Sequence, residues 1–374
     1  MLAQRNMLTP KEIAPYLIES GLASARSVVE GDLVVLDASR RNSNFKVVSE
    51  RGASYLIKQG IDQERAGTMT NEAAVCSFLQ SDDAYAPLRP YLPVLHMYRP
   101  EEHVEVFELL HDACDLREYH TRLGRFPTRP ATDLGVALGM LHSAKYEQGE
   151  TRQIQHRDAP WPLTLHRPSF ALYRRISNAN VQLVSTMQSF PAFGMLLDAL
   201  RARWPEFAGG EPGTLVHYDI KLDNVLVVRD GSGRAKGIKL VDWELAGLGD
   251  PAWDVGALFG EYLGFWLLSI PITGESPPER FLDMALYPLS RIQPALGAFW
   301  RSYKEQTGLE GQVAAQFLWR AVAYAACRLL QTAFESSQGS SRLTGNALCF
   351  LQLSFNVLQR PSEAAAQLLG ITEL

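Results

Sequence analysis

The rhythm of apolar and polar positions changes along the chain, and each change predicts an element. Near the start, LTPKEIAPYLIESGL reads as a helix, with Thr9 as cap, Pro10 in the first turn, Glu12 closing a capping box and Gly21 ending it. Three strand-type runs follow at Asp32–Leu36, Phe45–Val48 and Ser54–Lys58, joined by tight links, the second through Arg51-Gly52. The spacing predicts a helix over about Thr70–Gln80 and a further strand at His103–Leu110. From Asp112 onward helical patterns dominate to the end, broken mainly over residues 214–243. The expectation is an α+β chain: a small sheet-rich part over residues 1–110 with a leading helix, then a large helical part over residues 111–374.

The longest apolar tract, VGALFGEYLGFWLLSIPI at residues 255–272, carries Glu261 and three glycines. Its modest length and its charge predict a buried core helix rather than a membrane span. The start of the chain has no apolar core of signal-peptide type. Of the 374 residues 46% are hydrophobic and 21% charged, the balance of an ordinary globular protein with ample core. A net charge of −5 gives no reason to expect a nucleic-acid partner. The four cysteines, Cys76, Cys114, Cys327 and Cys349, stand far apart without a C-x-x-C pair, which fits reduced thiols in a cytoplasmic protein better than disulfides or a zinc site.

Candidate chemistry enters at residues 215–227, LVHYDIKLDNVLV, where His217, Asp219, Lys221, Asp223 and Asn224 interrupt an apolar run. Alone, such alternation reads as the solvent side of a half-buried strand. The next residues supply partners. Val225–Val228 and Ile238–Val241 are short strands separated by the turn signal Arg229-Asp230-Gly231-Ser232-Gly233. If they pair as a hairpin, Asn224 before the first and Asp242 after the second lie at its open end. An amide oxygen and a carboxylate are hard ligands suited to Mg²⁺, and Asp219 is close enough in sequence to reach them. The alternative for Asn224 and Asp242 is a pair of surface turn residues.

The spacing His217-x-Asp219-x-x-x-x-Asn224, then Asp242 opening VDWELAGLGDPAWDVG, resembles the protein kinases and, more closely, the aminoglycoside phosphotransferase-like family. The order of elements is similar from about residue 30 to 330. The resemblance implies a bilobal protein-kinase-like fold and ATP-dependent phosphoryl transfer to an alcohol. It implies Asp219 as the base that orients the acceptor hydroxyl, and Asn224 and Asp242 as ligands of Mg²⁺. It also implies His217 as a brace of the loop and Asp254 as the carboxylate that ties the core helix to that loop. Lys221, two residues after Asp219, matches kinases acting on Ser or Thr, where a lysine steadies the transferring phosphoryl group.

In the amino-terminal part the resemblance assigns Lys58, at the end of SYLIK, to the α- and β-phosphates, the other reading being a plain solvated strand end. Its expected partner is Glu72, because Glu72, Val75, Cys76 and Leu79 share one helix face and an inward charge needs a counter-charge. Glu64 is the weaker alternative, since it precedes the predicted helix. The nucleotide-covering loop, DASRRNSN at residues 37–44, departs from the kinase pattern in having no glycine. Asn42, Ser43 and Asn44 tolerate tight turns, and Arg40 and Arg41 could bind phosphate by charge-assisted bonds. The other reading is a solvated hairpin tip. Main-chain groups of Glu108 to Leu110 are expected at the adenine edge.

For the acceptor, residues 256–374 hold nine Asp or Glu and eight Lys or Arg, a net of −1 and a poor trap for a polycationic aminoglycoside. The tract GDPAWDVGALFGEYLGFWLLSIP and the SRRNSNF loop resemble phosphotransferases of lanthipeptide- or thioamitide-type peptide maturation. That implies Ser or Thr of a precursor peptide as acceptor and a separate lyase as partner. A small-molecule alcohol, such as a sugar, choline-like or methylthioribose-like compound, stands beside it. A third reading is a pseudokinase scaffold that binds nucleotide or peptide without transfer.

Overall fold

The computed structural model describes residues 7–38, 43–144, 154–208, 214–271 and 284–372. The chain divides into two compact units. The first holds Met1–Cys114 with Val228–Ala246, and the second holds Asp115–Val227 with Gly247–Leu374.

In the first unit the leading helix α1 (Pro10–Glu19) starts at the expected cap: Glu12 accepts hydrogen bonds from the Thr9 N–H at 2.8 Å and its hydroxyl at 2.7 Å. A short helix, α2 (Ala25–Val29), leads into five antiparallel strands. These are β1 (Leu33–Asp37), β2 (Ser43–Ser49), β3 (Tyr55–Gln59), β4 (Leu95–Arg99) and β5 (Val104–Glu108), in the order β1-β2-β3-β5-β4. Side chains alternate across a sheet. Phe45, Val47, Tyr55, Ile57, Val104 and Val106 therefore share the face buried against Ile13, Tyr16 and Leu17 of α1. Full burial of such side chains stabilises by about 1.5–3 kcal/mol each. The alternate positions Lys58 and Glu105, opposite one another across β3 and β5, take the other face.

The helix α3 (Gln63–Ser81) begins at Gln63 rather than Thr70. Asp62 caps it by accepting the Arg65 N–H at 2.9 Å, so Glu64 lies within its first turn instead of ahead of it. The edge strand β4, with the sequence LHMYR and no β-branched residue, gave too weak a pattern to be foreseen. Later in the chain, β6 (Ala113–Asp115) ends near the division after Cys114.

The second unit is mainly helical. Its early helices are α4 (Leu116–Leu123), α5 (Thr128–Ser143), α6 (Phe170–Tyr173), α7 (Asn178–Gln188), α8 (Pro191–Ala202) and α9 (Trp204–Ala208). The strand β7 (Thr214–Val216) feeds the His217–Asn224 segment and then β8 (Val225–Arg229), whose last two residues, with all of β9 (Ala235–Leu240), belong to the first unit. The turn between β8 and β9 is set by Asp230, which accepts from the N–H groups of Ser232 and Arg234 and from the Ser232 hydroxyl. The strand β10 (Gly247–Gly249) pairs antiparallel with β7 and leads into α10 (Ala252–Leu268). The remaining helices are α11 (Leu289–Thr307), α12 (Gly311–Ser336), α13 (Gly345–Gln359) and α14 (Pro361–Gln367).

Residues Ala252–Leu267 of α10 are all buried, as expected for a core helix. No helix among the described residues is long and apolar enough to cross a membrane. At Gly260 a Cβ would stand 2.7 Å from Arg328 Cβ and 2.9 Å from Ala325 O, so the absence of a side chain there lets α10 and α12 approach closely. All four cysteines are free thiols. The α+β class, with an amino-terminal antiparallel sheet and a mostly helical remainder, is the one the sequence predicts.

Candidate active site

Two clusters of polar side chains, one in each unit, gather most of the residues singled out by the sequence. In the first unit Lys58 Nζ donates to both oxygens of Glu72, at 3.0 and 2.9 Å, and lies 3.7 Å from Asp242 Oδ1. Burial works against the charge on Lys58. The carboxylates of Glu72 and Asp242 outweigh it and hold the ammonium above the usual lysine range. The ring of Phe107 lies under the ammonium at 5.1 Å. Glu72 is 3% exposed, and Val75, Cys76 and Leu79 are buried on the helix face it shares with them, as the helical period requires.

Glu72 has a further partner that the sequence does not announce. Its Oε1 accepts the Trp243 N–H at 3.2 Å, and the preceding Asn71 donates through Nδ2 to the carbonyls of Glu244 and Ala246, at 3.0 and 2.9 Å. Helix α3 thereby grips the backbone on both sides of Glu244. Asp242 sits in the left-handed region at φ 71°, a conformation that costs a non-glycine residue about 1–3 kcal/mol and is kept only where the surroundings enforce it. Burial first, then the charge of Asp242, raises the carboxyl of Glu244.

At both ends of the stretch expected to cover a nucleotide, residues are in strands rather than in a loop. Asp37 belongs to β1, and Ser43 and Asn44 belong to β2, with Asn44 opposite Lys58 in the β2–β3 register. The Ala38 N–H donates to Asn44 O at 2.8 Å and closes the ribbon. Arg40, Arg41 and Asn42 lie outside the described residues. At the end of β5 the N–H groups of Glu108 and Leu109 are taken by the carbonyls of Val94 and Ser54, both at 2.9 Å. The Glu108 carboxylate accepts from the Val94 N–H and from Lys239 Nζ.

In the second unit the segment after β7 is pinned by Asp254, which is fully buried in the first turn of α10. Its two oxygens accept the N–H groups of His217 at 2.7 Å and Tyr218 at 2.8 Å, and His142 Nε2 stands 3.2 Å from Oδ2. Tyr218 is held at φ 70°, and its carbonyl accepts from Trp253 Nε1 at 2.9 Å. Pairing of β7 with β10 places the start of α10 beside this segment, so sheet and carboxylate fix the same backbone. His217 is fully buried.

Past that brace, Lys221 Nζ donates to Asp219 Oδ2 at 2.6 Å. Asn224 Nδ2 donates to the same oxygen at 3.1 Å and to Asp219 O at 3.0 Å. Two acceptors on Nδ2 fix the amide orientation and turn the acceptor oxygen of Asn224 away from Asp219. Sequence reasoning missed the charges behind this loop. Glu261 Oε2 accepts the Leu222 N–H at 3.2 Å and pairs with Arg117 at 2.7 Å, while Oε1 accepts from Arg328 at 3.1 Å. The signal was present, because a carboxylate in an otherwise apolar core helix requires buried partners.

Two side chains, one in each unit, each carry an oxygen of the kind magnesium takes together with substrate phosphates and water. Asn224 keeps an amide oxygen, and the Asp242 carboxylate is 34% exposed. Among the described residues no group of three His, Cys, Asp or Glu side chains could hold an ion alone.

The model of the phosphotransferase enzyme family matches residues 32–285, more than half of the chain. The fold is protein-kinase-like. It is similar to choline kinase from Cryptosporidium parvum Iowa II, at 13% identity and a TM-score of 0.57, over 97% of this chain and 98% of that one. It is also similar to a choline/ethanolamine kinase family protein from Mesorhizobium loti, at 16% identity and a TM-score of 0.51, over 97% of each chain. No curated protein sequence matches the chain.

Proposed function

The chain belongs to the phosphotransferase enzyme family, and we propose that it transfers the terminal phosphoryl group of ATP to an alcohol, with Asp219 as the base. The observation that carries this reading is the carboxylate of Asp219, only 14% exposed and braced at Oδ2 by both Lys221 and Asn224 on a loop pinned by Asp254. A carboxylate so held can orient an acceptor hydroxyl and take its proton as the oxygen attacks phosphorus.

On the nucleotide side Lys58, held charged by Glu72, is proposed to bind the α- and β-phosphates. Ser43 and Asn44, beginning β2, and Arg40, Arg41 and Asn42 before them are proposed to cover the phosphates. With the Glu108 and Leu109 N–H groups taken, the Leu110 N–H becomes the donor for the adenine edge, beside the Glu108 carbonyl. Asn224 in the second unit and Asp242 in the first are each proposed as a magnesium ligand. Magnesium held at either residue would offset negative charge on the transferring phosphates. His217 and Asp254 keep the loop backbone in place.

The finer reading is a Ser or Thr side chain of a precursor peptide, with a separate lyase acting afterwards. The 2.6 Å contact between Lys221 and Asp219 favours it, because a lysine at that position is the feature shared with kinases of Ser and Thr. A small-molecule alcohol is the alternative acceptor. Incubation with γ-labelled ATP, Mg²⁺ and a panel of Ser- and Thr-containing peptides and small alcohols tests both. Label transferred to one class identifies the acceptor, whereas nucleotide binding without transfer to any would favour a pseudokinase.

A further inference from the structure

Asp219 has two unequal oxygens. Oδ2 receives both Lys221 Nζ and Asn224 Nδ2, while Oδ1 faces Arg328 Nη1 at 4.0 Å. That distance is too long for a hydrogen bond but short enough for strong attraction at a site shielded from water. Arg328 projects from α12 with its side chain 7% exposed, and a guanidinium so buried needs matching carboxylates. Glu261 supplies the first, accepting from Arg328 Nε and Nη2 at Oε1, both at 3.1 Å.

Glu261 cannot balance the cluster alone, since its Oε2 is also paired with Arg117, which in turn donates to Asp223. Lys221, Arg117 and Arg328 thus meet Asp219, Asp223 and Glu261. After Glu261, Asp219 is the carboxylate that acts most strongly on Arg328, ahead of Glu335. Glu261 also holds the Leu222 N–H at 3.2 Å, so one side chain anchors both Arg328 and the loop that carries Asp219. The close approach of α10 and α12 at Gly260 keeps that anchor short.

We propose that Arg328, anchored on Glu261, is a positioning residue that sets the rotation of the Asp219 carboxylate and presents Oδ1 as the proton-accepting oxygen. The inference rests on the reading of Asp219 as the base. In the step it describes, the acceptor O–H proton passes to Oδ1, the acceptor oxygen forms its bond to the γ-phosphorus, and ADP leaves with the electrons of the broken P–O bond. The guanidinium neither gives nor takes a proton.

A double-mutant cycle with Arg328→Gln and Asp219→Asn tests this, with thermal unfolding recorded for every variant. Arg328→Gln is expected to lower kcat by about tenfold to a hundredfold while KM for ATP stays within about twofold, since misplacing a reacting group by an ångström costs rate on that scale. In the Asp219→Asn background the same substitution is expected to cost almost nothing more, because the group it positions is gone. If Arg328→Gln unfolds the protein, Arg328→Lys, which keeps the charge but loses the two-point hold on Glu261, is expected to give a smaller loss that also vanishes in that background. An equal loss of kcat in both backgrounds, or none in the wild type, overturns the positioning role and leaves the base standing. Undiminished turnover of Asp219→Asn alone overturns the base instead, and the positioning role with it.

Discussion

Glu72 grips Lys58 with both carboxylate oxygens, at 3.0 and 2.9 Å, and with one of them also takes the Trp243 N–H. A single side chain of α3 thereby couples the lysine of β3 to the segment that follows Asp242. Removing one member of a buried ion pair costs about 3–5 kcal/mol where nothing else faces the charge left behind, and less here, since Asp242 stays 3.7 Å from Lys58. Glu72→Ala is expected to lower the unfolding free energy by less than that range and to weaken ATP binding more than Glu72→Gln, which keeps an acceptor for the N–H. Denaturant titration and nucleotide titration of both variants check it. Equal stability of Glu72→Ala and the wild type would show that the pair contributes nothing net.

Glu105 lies opposite Lys58, is fully buried, and faces the carboxylate of Glu72. Burial, and then the neighbouring charge of Glu72, holds its carboxyl well above the ordinary 4.5. The native state therefore binds this proton more tightly than the unfolded chain does. Its contribution to stability is complete below the unfolded value and is lost as pH rises toward the folded one. Each tenfold difference in proton affinity between the two states is worth about 1.4 kcal/mol. Glu105→Gln is expected to gain stability relative to wild type as pH rises from about 5 to about 8. Denaturation midpoints at the two pH values test this, and parallel curves would contradict it.

His120 carries the opposite sign. It is fully buried among Phe126, Tyr262 and Phe265, with Nε2 3.0 Å from Tyr262 Oη and Tyr119 beside it. Burial pushes it from 6.5 down to about 4. Here the unfolded chain binds the proton first. The stabilisation is present above pH 6.5 and is lost as pH falls toward about 4, by about 3 kcal/mol in all. His120→Gln is expected to flatten this stretch of the pH–stability curve. An unchanged slope would place the acid sensitivity elsewhere.

The sequence marks those parts of the candidate site that follow a local period or a tight spacing. Glu72 was legible from its helix face, and Asp219, Asn224 and Asp242 from the interruption of two apolar runs by a turn. Lys221 was legible from its place two residues after Asp219, which resembles kinases acting on Ser or Thr. The partners that hold these residues were not, because Asn71, Arg117, Glu261 and Arg328 reach theirs across long stretches of chain. Glu261 stood in the sequence only as a charge that argued against a membrane span. Helix α3 starts ahead of the predicted Thr70 for a local reason: Asp62 caps it by accepting the Arg65 N–H.

Substitution of Asp219 tests the central claim most directly. Single-turnover transfer from γ-labelled ATP, measured with a working acceptor, compares Asp219→Asn with wild type. The folded amide variant is expected to bind ATP as the wild type does and to transfer its phosphoryl group at least about a hundredfold more slowly. Equal transfer rates in the two proteins would contradict a base at this position.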